Sequence, residues 1–393
     1  MTTSIDDLLD TGRLDEASRR LSEQLQKGPA SADVLVAQGR LLGAQRDLEG
    51  ALQSLEEALG LDPSHARARG YRGVLLYEMG RQGEARPDLM AAAEQGIADG
   101  AIHFALARSL AAAGELSAAL TAADQAADDQ PQNWAFQFVR ARILSDLERY
   151  DESLEALRVT VRCDPSQEEP WIVLCTILVN LGETRDAITN LQTALRHVPN
   201  TDRLKELLAH AALAQGDVEL ATHQLEELSR AHPQDATTLG NLALCYVAGG
   251  RAQMAETVYR NAIELAPADA TLHYQLASLL EDKEGEQALH EAVEHYRQAI
   301  AANDQMWEPC SDLGRLHVTQ AEIQDLDRAF ELLERARSLG GDRPEILMNM
   351  ALGFAHKGEN AACAKLCRQV EAHPDAENAL KDQAHALAKH VSG

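Results

Sequence analysis

Lysine is scarce in this chain. Only 7 of its 36 basic residues are Lys, against 29 Arg, and 62 acidic residues outnumber them all. The formal net charge is therefore −26. A chain this acidic repels nucleic acid and anionic lipid, which argues against either as a partner. Aromatic residues make up only 4 %. Ala and Leu take their place, which favours helix over strand. The six cysteines contain no C-x-x-C pair and are too few for a disulfide framework in a chain of this length. They point to a reducing compartment, so a cytoplasmic location is expected. No apolar run approaches the ~18 residues of a membrane span, so membrane insertion is not expected. Met1 to Gly12 carries three Asp and no apolar stretch, which does not read as a signal peptide. Phosphate-binding glycine loops and the G-x-S-x-G elbow are missing too, so neither an enzyme nor a cofactor is expected.

Apolar residues supply 45 % of the chain, enough for a real core. They are arranged in repeats. Pro131, Pro165, Pro199, Pro233 and Pro267 stand 34 residues apart, and Pro29 and Pro63 show the same step. A small-residue series has that period: Ala17, Ala51, Ala85, Ala119, Ser153, Ala187, Ala221 and Ala255. Gly80, Gly114, Gly182, Gly216 and Gly250 form a third series, with Glu148 in place of one glycine. A bulky series runs Leu21, Leu55, Leu89, Ala123, Leu157, Leu191, Leu225 and Tyr259.

Each repeat reads as two helices. In one, Pro170 suits a first helical turn. Trp171, Leu174, Ile177, Leu178 and Leu181 then recur at helical spacing. Gly182 ends that helix, where a left-handed residue is needed. Ala187, Ile188, Leu191 and Ala194 restart the pattern, and Pro199 stops it. Cys175 and Ala187 are expected at the helix crossing, where only short side chains allow close approach. Pro87 lies inside a second helix, which is therefore expected to begin late or kink. The spacing predicts a partial repeat over 1–31, seven 34-residue repeats over 32–269, and three more over 270–374. Two of those three are expected to carry longer turns, near Asp282–Gln287 and Thr319–Asp325. A capping helix over 375–393 would cover the last apolar face.

At these residues the chain resembles the tetratricopeptide repeat family. One repeat shows Leu242-Ala243, Tyr246, Gly250, Ala255, Tyr259, Ala262 and Pro267, and another shows Trp171, Leu174, Gly182, Ala187, Leu191, Ala194 and Pro199. The resemblance implies an all-α solenoid, a right-handed superhelix of helix-turn-helix units. It also implies a protein-interaction scaffold whose first helices line a concave groove for a peptide or a partner's helix. The family's clamp for a C-terminal carboxylate is not matched. Asn241 is isolated between Leu207 and Tyr274 in the equivalent slots, and the lysines are missing. An asparagine ladder is not matched either, with only Asn241 and Asn349 fitting it.

The groove should be lined by the free face of each first helix. Phe104 and Arg108 share that face one turn apart, and Phe138 and Arg142 take the same places in the next repeat. Ile172 and Thr176 follow, then Glu206 and His210. Arg40 and Arg315 hold the arginine slot near the two ends. Two Phe–Arg pairs would suit a segment with an apolar anchor and a nearby acid, because guanidinium forks pair well with carboxylates. The plainer reading is that the arginines are solvated and the Phe rings pack between repeats. A second hypothesis is a self-assembling scaffold, motivated by Leu347, Met348 and Leu352 near the C-terminal end if they are exposed.

Two metal-like patterns carry less. Cys363 and Cys367 lie one turn apart, with His356 before and His373 after. Both cysteines fall in the small and bulky core series, so they read as core residues rather than zinc ligands. His290-Glu291 with His295 superficially matches H-E-x-x-H. Residues five apart point about 140° from each other on a helix, so they cannot share one metal.

Overall fold

The computed structural model describes residues 4–392, which leaves the first three residues of the leader reading outside the description. Among the described residues there are helices and turns and no strand. The helices are α1 (Ile5–Asp10), α2 (Leu14–Leu25), α3 (Ala32–Ala44), α4 (Leu48–Leu61), α5 (Ala66–Glu78), α6 (Gln82–Glu94), α7 (Gly100–Ala112) and α8 (Leu116–Asp129). They continue as α9 (Trp134–Asp146), α10 (Tyr150–Cys163), α11 (Glu168–Asn180), α12 (Thr184–His197), α13 (Asp202–Gln215), α14 (Val218–Ala231), α15 (Ala236–Ala248) and α16 (Ala252–Leu265). The last are α17 (Ala270–Glu281), α18 (Glu286–Ala302), α19 (Glu308–Thr319), α20 (Leu326–Gly340), α21 (Pro344–His356), α22 (Asn360–Ala372) and α23 (Asn378–Ser392). The first helices α3 to α17 start 34 residues apart, as do the second helices α2 to α18. This is an all-α solenoid of helix-turn-helix repeats. It divides into two compact bodies, one ending at Leu208 and the other beginning at Ala209, inside α13.

The four sequence registers each have a structural cause. Ala17, Ala51, Ala85, Ala119, Ser153, Ala187, Ala221 and Ala255 are fully buried where paired helices cross. The facing position is equally small: a Cβ on Gly73 would lie 2.7 Å from Leu89 Cγ, and one on Gly39 would lie 2.8 Å from Leu55 Cγ. The glycine register closes first helices in the left-handed region, with Gly182 at φ 79°. Two non-glycine residues stand in that slot, Glu148 at φ 59° and Arg46 at φ 67°.

Pro87 corrects the expectation of a late helix start. Helix α6 starts at Gln82, in register with its neighbours, and runs through the proline. The proline denies a bond to the Gly83 carbonyl, but both residues are exposed and water can serve that oxygen. Buried Ala85 and Leu89, with a two-pronged Arg72–Asp88 ion pair at 2.6 and 2.9 Å, anchor the helix.

In the C-terminal body the two phase shifts are resolved differently. The first becomes mostly helix: α18 has 17 residues where α16 has 14, after a connection of 282–285. The second is a true longer connection, 320–325, with a 3-10 turn at Ala321–Ile323. Helix α23 packs Leu380, Ala384, Leu387 and Val391 onto the last repeat. Leu347 and Met348 are buried in that same core, 2 % and 6 % exposed, and Leu352 packs against it. They are not the exposed apolar residues that the self-assembly hypothesis needed. Cys363 and Cys367 are buried there too, their sulfurs 4.0 Å apart, as core residues.

Candidate functional site

In the N-terminal body the first helices α3, α5, α7, α9 and α11 carry the arginine slot at Arg40, Val74, Arg108, Arg142 and Thr176. The occupants behave in two ways. Arg40, only 12 % exposed along its side chain, is claimed by α1: it pairs with Asp6 at 2.6 Å and with Asp10. Its guanidinium also lies 4.6 Å from the Tyr71 ring centre. Burial alone would lower the Arg40 pKa, but Tyr71, Asp10 and Asp6 outweigh it and hold the pKa above its ordinary value. In the C-terminal body, Arg315 is likewise held by Glu281 at 2.5 Å. Both arginines draw an acid from the preceding first helix, and Asp6 and Glu281 each lie 34 residues upstream. Arg40 has both terminal nitrogens engaged by carboxylates, and Arg315 has one.

Arg108 and Arg142 break that rule. Both are exposed, and neither has a carboxylate partner among the described residues. The residue 34 before Arg142 is Arg108 itself, and 34 before Arg108 is Val74. Aromatic rings hold Arg108 instead. Its guanidinium carbon lies 5.0 Å from the Tyr77 ring centre and 5.5 Å from that of Phe104. Ring faces attract the cation without using its N–H donors, so the fork is oriented and unspent.

The two arginines line one cavity of about 290 Å³ with Tyr77, Ala111, Ala112, Val139, Ile143 and Asp146. The alanines leave room, and Val139 and Ile143 give an apolar wall. A second cavity of about 330 Å³ lies beside it across α5, between Arg40, Gly43, Arg46, Tyr71, Val74 and Glu78.

The Phe–Arg arrangement differs from the expected stack. Phe104 sets its ring 4.9 Å from Phe136, not Phe138, and Phe136 is buried. Phe104 and Phe138 are both half-buried, and neither lines the cavity. Phe104 thus supports Arg108 and packs between repeats at once. Ile172 is half-buried and Thr176 exposed on α11, beyond the cavity. Glu206 and His210 are exposed on α13, and His210 belongs to the C-terminal body. Tyr77 was missed by sequence reasoning. It stands one turn after Val74 on the same face, and that spacing was its only signal.

Other singled-out groups serve the fold. His273 and His295 stack at 5.1 Å with their Nδ1 atoms 2.9 Å apart. Asn349 donates to the Ser311 hydroxyl at 2.9 Å.

Comparison with known proteins agrees with this architecture. The sequence profile of the tetratricopeptide repeat matches residues 36–101, 104–168, 176–221 and 206–270, more than half of the chain. The chain is 23 % identical over 325 residues to a BBSome complex member, the BBS4 homolog of Drosophila melanogaster, covering 77 % of this chain and 65 % of that protein. It is 24 % identical over 303 residues to tetratricopeptide repeat protein 16 of Mus musculus, covering 76 % of this chain and 34 % of that one. The chain therefore spans less than two thirds of the length of these relatives. Among solved structures it is similar to that of the APC/C hetero-tetramer Cut9–Hcn1, at 13 % identity and a TM-score of 0.51, covering 99 % of this chain and 82 % of that one. It also resembles the C-terminal part of a TPR repeat-containing protein from Cytophaga hutchinsonii, at 14 % identity and a TM-score of 0.51, over 63 % of this chain and 98 % of that one. With its repeat profile matched over most of the solenoid, this chain belongs to the tetratricopeptide repeat family.

Proposed function

We propose that this protein is a non-enzymatic adaptor that holds an acidic segment of another protein against the first-helix face of its N-terminal body. One observation carries the reading. Arg108 and Arg142 share a cavity and lack acid partners among the described residues, whereas the other arginines of the slot, Arg40 and Arg315, have them. The missing acid is the partner's. Two guanidiniums against the rim carboxylate of Asp146 leave one net positive charge, which matches a single Asp or Glu side chain. An apolar neighbour of that acid would rest on Val139, Ile143 and Ala111. Membership of a protein-interaction repeat family supports the class of function. One relative is by name a member of a complex, and the solved Cut9 structure is a hetero-assembly. No helix among the described residues is long and apolar enough to cross a membrane. All six cysteines are free, in keeping with a cytoplasmic setting.

The test is fluorescence anisotropy with a labelled peptide of Glu, Asp, Leu and Phe, beside a control with Lys at each acid. The acidic peptide should bind, and more weakly as salt rises. Crosslinking of the peptide to α5, α7 and α9 should fall about tenfold or more in Arg108→Glu/Arg142→Glu, since a hydrogen bond to a charged group contributes about 1.5–3 kcal/mol. Equal binding of the Lys control, or unchanged crosslinking in the double variant, would refute the site.

A further inference from the structure

A concavity in the N-terminal body lies on its second-helix layer, away from the first-helix cavity. It holds about 560 Å³ between α10, α11 and α12, lined by Glu155, Arg158, Val159, Val161, Arg162, Trp171 and Asn190. Its floor is apolar: Trp171 is 4 % exposed, and its indole N–H is already spent on the Pro165 carbonyl at 3.0 Å. Val159 and Val161 stand beside it. Arg158 and Arg162 lie one turn apart on α10, both exposed. Arg162 gives its Nε–H to the Arg158 backbone carbonyl at 3.1 Å, which leaves its terminal N–H groups unused. Neither arginine pairs with a carboxylate among the described residues, although Glu155 lines the same concavity. Other second-helix arginines divide: Arg230 takes Glu226 at 2.9 Å and Arg260 takes Glu291 at 2.5 Å, whereas Arg19, Arg185, Arg196, Arg335 and Arg368 have no carboxylate partner among the described residues, so what marks Arg158 and Arg162 is their place together on one apolar concavity.

We propose that this concavity is a second docking surface, for an acidic segment with an aromatic or aliphatic residue. That residue would cover Trp171, Val159 and Val161 while its acids reach Arg158 and Arg162. Asn190 offers an amide at the rim for the segment's backbone. Charge complementarity selects the occupant: two unspent guanidiniums against one carboxylate favour an acid and disfavour a basic segment or a second copy of this acidic chain. Groove and outer concavity lie on opposite helix layers, so the N-terminal body can hold two acidic segments at once. The inference does not depend on the groove reading, because the two sites share no residue.

The experiment uses the full chain and a benzophenone-bearing peptide of Glu, Asp, Leu and Phe, with a counterpart carrying Lys at each acid. Photo-crosslinked positions are mapped by mass spectrometry. The acidic peptide should crosslink on α10–α12 in the wild type and in Arg108→Glu/Arg142→Glu. Those crosslinks should fall at least tenfold in Arg158→Glu/Arg162→Glu, and partly return in Arg158→Lys/Arg162→Lys. All four arginines are exposed, and circular dichroism is the check that each variant keeps its helicity. Equal labelling by the Lys peptide, labelling that survives Arg158→Glu/Arg162→Glu, or no labelling of α10–α12 would overturn the proposal. Absence of groove labelling in the wild type, with α10–α12 labelled, would sink the groove reading and leave this one standing.

Discussion

Replacing Glu148 by glycine should stabilise the N-terminal body. Glu148 closes α9 at φ 59°, where Gly114 and Gly182 close the neighbouring first helices at 78° and 79°. A side chain in the left-handed region costs roughly 1–2 kcal/mol. Glycine gives back about 0.5–1 kcal/mol through its freedom in the unfolded chain. Among the described residues the exposed Glu148 side chain makes no hydrogen bond or ion pair whose loss would offset the gain. The net gain is about 0.5–1 kcal/mol, which shifts a urea midpoint by roughly 0.25–0.5 M at ordinary denaturant sensitivity. Repeat arrays can unfold in parts, so the reporter must be local. Trp134 on α9 and Trp171 on α11 flank the substitution, and Trp307 lies in the other body. Fluorescence unfolding in a Trp307→Phe background isolates the response. Gly182→Glu is the mirror experiment and should lose a similar amount. An unchanged or lowered midpoint in Glu148→Gly, with Gly182→Glu tolerated, would refute the assignment of that slot to backbone strain.

Gly73→Ala puts a Cβ 2.7 Å from Leu89 Cγ and 3.1 Å from the Ala85 carbonyl, and should cost about 1–3 kcal/mol in thermal or urea unfolding. Arg40→Ala should lose about 1.5–3 kcal/mol and release α1 to proteolysis, because it breaks the bonds to Asp6 and Asp10. Arg108→Ala, exposed and without an acid, should stay within about 0.5 kcal/mol of wild type while weakening peptide binding. The pH response has a definite sign. Burial first, then His273, holds the His295 pKa below 6.5, so the folded state binds fewer protons than the unfolded chain in mild acid. Stability should be full above pH 6.5 and decline as pH falls through that value toward the lower folded pKa. His295→Gln should flatten that part of the urea-midpoint profile.

The repeat was legible because it is written in residues with one job each. Small residues sit at crossings, glycine in left-handed closures, and proline after second helices. These fixed the helix starts 34 residues apart through α18. Pro87 misled about the helix start because solvent, rather than local sequence, decides whether an unbonded carbonyl matters. The extra residues before Ala292 misled because an insertion can lengthen a helix as readily as a turn. On the first helices, the arginine slot could be read from period alone, but its neutralisation at Arg40 and Arg315 could not. Asp6 and Glu281 were in the right register, one repeat upstream, yet a pair forms only if the side chains reach. Phe136 in place of Phe138 as the partner of Phe104 is a difference of two residues on one helix. The pattern of stacked repeats does not resolve it.

The most direct measurement is a charge-swap on a captured partner. Wild-type chain and Arg108→Glu/Arg142→Glu are used to recover partners from native lysate, and the contacting segment is mapped by crosslinking. Each acid of that segment is then replaced by Lys. The account predicts that Arg108→Glu/Arg142→Glu loses the native segment and regains the Lys-substituted one, while the wild type does the reverse. Binding of both segments by both chains, or the absence of crosslinks on α5, α7 and α9, would contradict it.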